Sequence, residues 1–229
     1  MILFYNLGVR CYFLLAKLTN HFNKKAKLFI SGRKTLFEDL ISFTQNNDKP
    51  IVWFHAASLG EFEQGLPVME AFKAKNPEKS ILVTFFSPSG YEQRKNHSIA
   101  DYTCYLPIDT QASAKRFIDT IKPEVVFFIK YEYWYHYLKE VSSRKIPLYG
   151  ISALFTPNHI FFKFYGGLHR KMLGFFKHTF VQNASSLELL RSIGIKEASI
   201  SGDTRFDRVL QTIAAPNAYP EISIFKGDA

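Results

Sequence analysis

Cysteine is almost missing from this chain. Cys11 and Cys104 are the only two in 229 residues, far apart and in no metal-type spacing. That excludes a disulfide framework and a cysteine zinc site, and makes a reducing, cytoplasmic setting the simplest reading. Acid is missing from two long stretches: no Asp or Glu precedes Glu38, and none falls between Pro157 and Leu187. No uninterrupted apolar run reaches the ~20 residues of a clean membrane span. Residues 1–18 come nearest, but Asn6, Arg10 and Lys17 interrupt them, and the absence of leading charge and of an A-x-A site argues against a signal peptide. There is no 20–50-residue repeat and no low-complexity tract. The P-loop, G-x-G-x-x-G and G-x-S-x-G patterns are absent. The seven histidines form no H-x-x-x-H or similar pair, so no metal is expected.

What is present is a core and a charge. Hydrophobic residues make up 47% of the chain, with 23 Phe and 12 Tyr, which excludes a disordered protein. The formal net charge of +9 calls for an anionic partner: acidic lipid, a phosphorylated substrate or nucleic acid. The basic residues from Arg10 to Lys34 follow the apolar start, the pattern of an interfacial helix on anionic lipid or of a span with its basic flank in the cytoplasm. A buried first helix is the plainer alternative.

From residue 51 onward short apolar runs alternate with helical segments. Strands are expected over 51–55, 81–85, 102–106, 125–129, 147–151, 179–182 and 198–201. Helices are expected over 66–75, 111–121, 131–144 and 184–193, from Ser87 and Pro88, and through the basic aromatic stretch after Pro157, interrupted by Gly166-Gly167 and Gly174. This alternation implies an α/β fold with a parallel, doubly wound sheet flanked by helices. Ligands of such sheets bind at the carboxyl ends of the strands.

Three segments lie there. In the first, His55-Ala56-Ala57-Ser58-Leu59-Gly60-Glu61-Phe62-Glu63, Glu61 is either the acid of an S-x-x-E capping box or a site carboxylate. Pro67 argues for a helix starting near Leu66, which would leave Glu61 on an irregular segment. In the second, Lys130-Tyr131-Glu132-Tyr133-Trp134, Glu132 is either a second site carboxylate or an acid favoured by a helix N-terminus. The third, Ser87-Pro88-Ser89-Gly90, fits an anion-binding turn or plain capping. His55, at a strand end, reads as a satisfied edge residue. The aromatic, basic 161–177 segment suits nucleic-acid bases, a membrane surface or a solvated helix face.

Taken in order, His-Ala-Ala-Ser-Leu-Gly-Glu (55–61), Thr-Phe-Phe-Ser-Pro-Ser-Gly (84–90), Tyr-Leu-Pro-Ile-Asp (105–109), Glu-Tyr-Trp (132–134) and Gly-Asp-Thr-Arg-Phe-Asp (202–207) resemble the 3-deoxy-D-manno-octulosonic acid (Kdo) transferases of lipopolysaccharide core biosynthesis. The resemblance implies a GT-B glycosyltransferase with two Rossmann-like domains across a cleft, the N-terminal one holding the acceptor and the C-terminal one the donor, CMP-Kdo. The chain is then expected to comprise a membrane-associating helix and basic flank (1–34), a Rossmann-like acceptor domain (35–209) and a linker (210–229) toward a C-terminal donor domain that it lacks.

By the same resemblance Glu61 is the general base of an inverting transfer, and no cofactor is implied. Glu132 matches the second glutamate of a Glu-x-Glu-x-Trp motif whose first position is Lys130 here. Relatives often carry an arginine where this chain has Leu154-Phe155-Thr156, so a phosphate contact is either missing or supplied by Lys163 or Arg170. Ser58, Gly60, Ser87, Ser89, Gly90, Lys130, Glu132, Lys163 and Arg170 are thus expected around the acceptor. The partners implied are a lipid A precursor, CMP-Kdo through the second domain, and the anionic cytoplasmic face of the inner membrane, but no nucleic acid. Another GT-B acceptor, or a non-catalytic lipid-binding module, are the alternatives.

Overall fold

The structure, a computed structural model, describes residues 1–130 and 132–207. The expected linker 210–229, and the end of the expected acceptor domain, lie outside the described residues. Seven strands form where the apolar runs fall: β1 Ile51–Ala56, β2 Ser80–Phe85, β3 Tyr102–Tyr105, β4 Val125–Ile129, β5 Leu148–Ala153, β6 His178–Val181 and β7 Ala198–Ile200. They make one all-parallel sheet in the order β3-β2-β1-β4-β5-β6-β7.

Successive side chains of a strand point to opposite faces, and β1 feeds two cores. Ile51 and Trp53 join Leu40, Phe117, Phe128, Tyr137 and Leu138 on one face. Val52, Phe54 and Ala56 join Phe62, Leu66, Met69 and Phe85 on the other. Helices α3 Leu36–Gln45, α6 Gln111–Ile121 and α7 Tyr135–Ser143 supply the first core, and α4 Leu59–Lys75 the second. Both sheet faces are therefore buried, which is why the strands read as continuous apolar runs.

The order reverses between β1 and β4. The chain winds outward from β1 through β2 and β3, then returns to β4 on the other side. The loops leaving β1 and β4 diverge there and open the crevice in which doubly wound sheets bind ligands.

Helix boundaries depart from expectation in four places. First, α4 begins at Leu59, so Pro67 lies inside it rather than in its first turn. An interior proline costs about 3 kcal/mol. Phe62, Leu66 and Met69, one face of the same helix and each buried, contribute about 1.5–3 kcal/mol apiece and outweigh it. Second, α7 begins at Tyr135 rather than at 131, leaving Glu132 and Tyr133 in non-helical backbone. Third, the stretch after Pro157 forms only a 3₁₀ turn, Ile160–Phe162, and the seven-residue α8 Gly167–Leu173, because Gly166-Gly167 break it. Fourth, the basic segment 24–31 is itself a helix, α2 Lys24–Ser31, capped by the Asn23 side chain.

Arg33, just after α2, is built into the fold. Its guanidinium donates to the carbonyls of Leu106 (2.9 Å), Phe29 (2.8 Å) and Phe86 (2.9 Å) and lies 3.8 Å over the Phe29 ring. Burial lowers its pKa to about 10.

The N-terminal helix α1 Ile2–Thr19 buries no residue. Leu3, Leu7, Leu14 and Leu18 recur on one exposed face. Its other side is tied down: Tyr5 bonds Asp109, Asn6 Oδ1 accepts from His136 Nε2 at 2.7 Å, and the Tyr12 ring lies 5.7 Å from Phe29. By length and composition α1 could cross a membrane. Its contacts with Asp109, His136 and Phe29 hold it against the domain.

Candidate active site at the sheet's switch point

Ser58 is the N-cap of α4, in extended backbone, and Glu61 sits in the helix's first turn. The spacing is that of a capping box, but the bonds are not. Ser58 Oγ accepts from no backbone N–H and donates instead to Glu61 Oε2. The neighbouring acid, Glu63, is occupied by Arg94 of α5 Pro88–Arg94, whose Nε and Nη2 lie 2.8 and 2.6 Å from Oε1. Of the two acids in this turn, Glu61 is the one held by a neutral hydroxyl.

The turn after β2 is seated directly on this loop. Ser87 N–H donates to Ala57 O at 2.7 Å. Gly90 is buried against it: a Cβ there would lie 2.9 Å from the carbonyl carbon of Ser58 and 2.4 Å from the Phe85 ring. The Ser87 hydroxyl caps α5 through Ser89 N–H (3.3 Å) and meets the Ser89 hydroxyl at 3.0 Å. Ser58, Glu61, Ser87, Ser89 and Gly90 thus form one continuous cluster, with Gly60 exposed beside it.

Glu132 follows β4. It lies ahead of α7, whose N-cap is Trp134, so the helix end does not explain it. The acid serving that end is Asp109, which accepts from the N–H groups of His136 and Tyr137, each at 3.2 Å. Glu132 Oε2 instead receives the Trp134 Nε1 proton at 2.7 Å and lies 3.2 Å from His55 Nε2. The Trp134 ring in turn lies 4.4 Å from Phe86, which joins the Glu132 segment to the Ser87 turn.

A cleft of about 340 Å³ opens at Glu132, walled by Tyr5, Tyr133, Trp134, His159, Ile160, Phe161 and His169. Aromatic walls around one carboxylate suit a polyhydroxylated ring, which offers C–H faces to the rings and hydroxyls to the acid. Burial alone lowers the pKa of His169. A second chamber of about 360 Å³, lined by Phe4, Gly8, Val9, Tyr12, Phe86, Ile108 and Trp134, runs beneath α1 and shares Tyr5 and Trp134 with the first.

The remaining expected residues are Arg170, Lys163 and Lys130. Arg170 Nη1 donates to the carbonyls of Phe161 (2.9 Å) and Lys163 (2.8 Å), fixing the cleft's outer loop. Lys163 Nζ donates to Asn158 at 3.5 Å. Lys130 follows β4 in left-handed backbone, φ 66°. Its charge acts on Asp203, whose carboxyl is held below the usual range first by hydrogen bonding to Arg205. His55, Trp134 and Asp109 are the residues the motifs did not assign. Their signals were a histidine closing a buried strand, the tryptophan ending Glu-Tyr-Trp, and the acid of Tyr-Leu-Pro-Ile-Asp.

The fold is a Rossmann-like domain of the GT-B kind. Solved structures similar to it include a UDP-N-acetylglucosamine 2-epimerase (TM-score 0.56, 15% identity, covering 76% of this chain and 52% of that one). Another is the UDP-GlcNAc 2-epimerase of Methanocaldococcus jannaschii (TM-score 0.53, 16% identity, 77% and 52%). Residues 34–208 match the family model for 3-deoxy-D-manno-octulosonic-acid transferase (kdotransferase), and the chain belongs to that family of glycosyltransferases.

Among relatives, the chain is 39% identical to the 3-deoxy-D-manno-octulosonic acid transferase of Aquifex aeolicus over 38% of this chain and 24% of that protein. It is 25% identical to the Rickettsia bellii enzyme of the same name over 71% of this chain and 39% of that one. It is also 27% identical to a bifunctional glycosyltransferase/methyltransferase of Fusobacterium nucleatum over 76% and 27%. The chain therefore spans between about a quarter and two-fifths of the length of these curated relatives.

Proposed function

We propose that this chain is the acceptor half of an inverting Kdo transferase, moving Kdo from CMP-Kdo to a sugar hydroxyl of a lipid A precursor. The observation that carries this reading is the placement of Glu61: at the carboxyl edge of β1, beside the switch point, with one oxygen held by Ser58. The other oxygen is left to take the acceptor's proton. As that hydroxyl oxygen bonds to the anomeric carbon of Kdo from one face, its proton passes to Glu61, and the bond to the CMP phosphate breaks on the opposite face. Glu132 accepts acceptor hydroxyls in the aromatic cleft, with the Ser87 turn beside it. The donor is carried by a second domain facing the crevice, in keeping with the greater length of the relatives.

The exposed apolar face of α1 supports a site at a membrane surface. Phe22, Phe164 and Tyr165 are exposed, and Met1 reaches within 3.3 Å of where a Gly167 Cβ would stand, so the start of α1 adjoins the 160–167 loop. With the basic residues around them they fit the anionic cytoplasmic face of the inner membrane. Binding of this chain to a lipid A precursor in detergent micelles, lost in Glu132→Ala and retained in Glu61→Gln, tests the assignment of the two roles. Equal loss in both variants, or in neither, contradicts it.

A further inference from the structure

We propose that His55 is a positioning residue for Glu132, locked in one tautomer by a buried chain of hydrogen bonds that begins at Trp53. Trp53, His55 and Thr84 are fully buried, on β1 and β2, and the Glu132 side chain is 13% exposed. Trp53 Nε1 donates to Thr84 Oγ1 at 2.8 Å, and Thr84 Oγ1 lies 2.8 Å from His55 Nδ1. His55 Nε2 lies 3.2 Å from Glu132 Oε2.

One arrangement gives every hydrogen an acceptor. The indole N–H of Trp53 can only donate, so Thr84 Oγ accepts it. Thr84 then donates its own proton to His55 Nδ1. The imidazole carries its proton on Nε2 and gives it to the carboxylate. The opposite tautomer sets a bare Nε2 against a carboxylate oxygen and leaves the Thr84 proton without an acceptor, a costly outcome in a buried site. Trp134 Nε1 lies within hydrogen-bond reach of both Glu132 Oε2 (2.7 Å) and His55 Nε2 (3.2 Å); with the imidazole proton on Nε2, the indole N–H goes to the nearer, charged oxygen and both N–H groups converge on it.

The result is an oriented carboxylate. Oε2 is fixed by two N–H donors, one from β1 and one from the Glu132 segment itself. Oε1 accepts from none of the described residues and belongs to a side chain that lines the cleft. His55 touches no ligand; it decides which carboxylate oxygen a ligand meets. Substrate-positioning groups of this kind act by fixing the geometry of the group that makes contact.

The inference rests on the acceptor-binding reading of Glu132, and the test separates the two. Nitrogen-15 NMR of the imidazole of His55 in this chain reads the tautomer with no ligand present. A proton on Nε2 and a bare Nδ1 are expected, and Thr84→Val should abolish that preference. In parallel, the dissociation constant for a lipid A precursor in detergent micelles is measured for four proteins. His55→Phe should weaken binding on the order of tenfold, the cost of one donor to a charged group. His55→Gln, which restores an N–H at the Nε2 position, should recover most of it.

A proton on Nδ1 overturns the proposal, as does unchanged affinity in His55→Phe where Glu132→Gln is weakened. Unchanged affinity in Glu132→Gln sinks the acceptor reading instead, and the tautomer still decides the role of His55. Should His55→Phe not fold, Thr84→Val takes its place in the binding series.

Discussion

The hydroxyl of Tyr5, on the apolar helix α1, donates to the carboxylate of Asp109, and the same hydroxyl accepts Tyr135 N–H at 3.1 Å. One side chain of this exposed helix is thereby bonded to the acid that caps α7, directly after the Glu132–Trp134 segment. Tyr5→Phe removes a donor and an acceptor from a buried cluster. A loss of about 1–3 kcal/mol is expected, seen as a lower Tm and faster proteolytic release of α1. An unchanged Tm and cleavage rate would show that α1 docks through its rings alone.

Acid should loosen the same contact. Burial lowers the pKa of His136 from its ordinary value of 6.5, although Asp109 pulls it up. The folded chain thus holds this proton less tightly than the unfolded one. Stability from His136 is complete above about pH 6.5 and is lost as pH falls toward the folded value. His169, lowered by burial, adds to the same loss. Asp109, raised by burial, works oppositely: its share is present below pH 3.8 and fades as pH rises through its folded value. A falling Tm is expected between about pH 7.5 and pH 5.5, flattened by His136→Gln with His169→Gln. A pH-independent Tm across that window contradicts the burial of these imidazoles.

Gly90→Ala should harm the site through the backbone. Its Cβ would lie 2.9 Å from the carbonyl carbon of Ser58, so the Glu61 loop must shift. About 1–3 kcal/mol of destabilisation is expected, whereas Ser89→Ala, at an exposed position of the same turn, should stay within about 0.5 kcal/mol. Equal denaturation midpoints for the two variants would remove Gly90 from the account of the loop.

Membrane binding should depend on α1 and the 160–167 loop together. Leu15→Ser with Phe164→Ser, both exposed residues, should reduce flotation on phosphatidylglycerol vesicles, and salt should weaken what remains. Binding of the same chain to RNA, with a stronger salt dependence than to vesicles, would instead favour a nucleic-acid partner for its charge.

The sheet was legible because both its faces are buried: runs such as 125–129 have no polar residue to confuse the reading. The start of α4 was not, because Pro67 argues against a helix that Phe62, Leu66 and Met69 impose from the core. Glu132 illustrates the same limit. Sequence places it near a helix, but its partners are His55, 77 residues away, and Trp134. Only the pairing of β1 with β4 brings them together. Arg170 looked available for phosphate, and the loop carbonyls that occupy it follow from a chain fold no local pattern encodes.

The central assignment is the base. In the complete enzyme, supplied with CMP-Kdo and a lipid A precursor, Glu61→Gln keeps the shape of the side chain and its contact with Ser58 but cannot take a proton. Transfer should fall by a factor of about 10² or more, with precursor affinity and Tm unchanged. Turnover close to the unsubstituted rate would contradict the role of Glu61 and the reaction built on it.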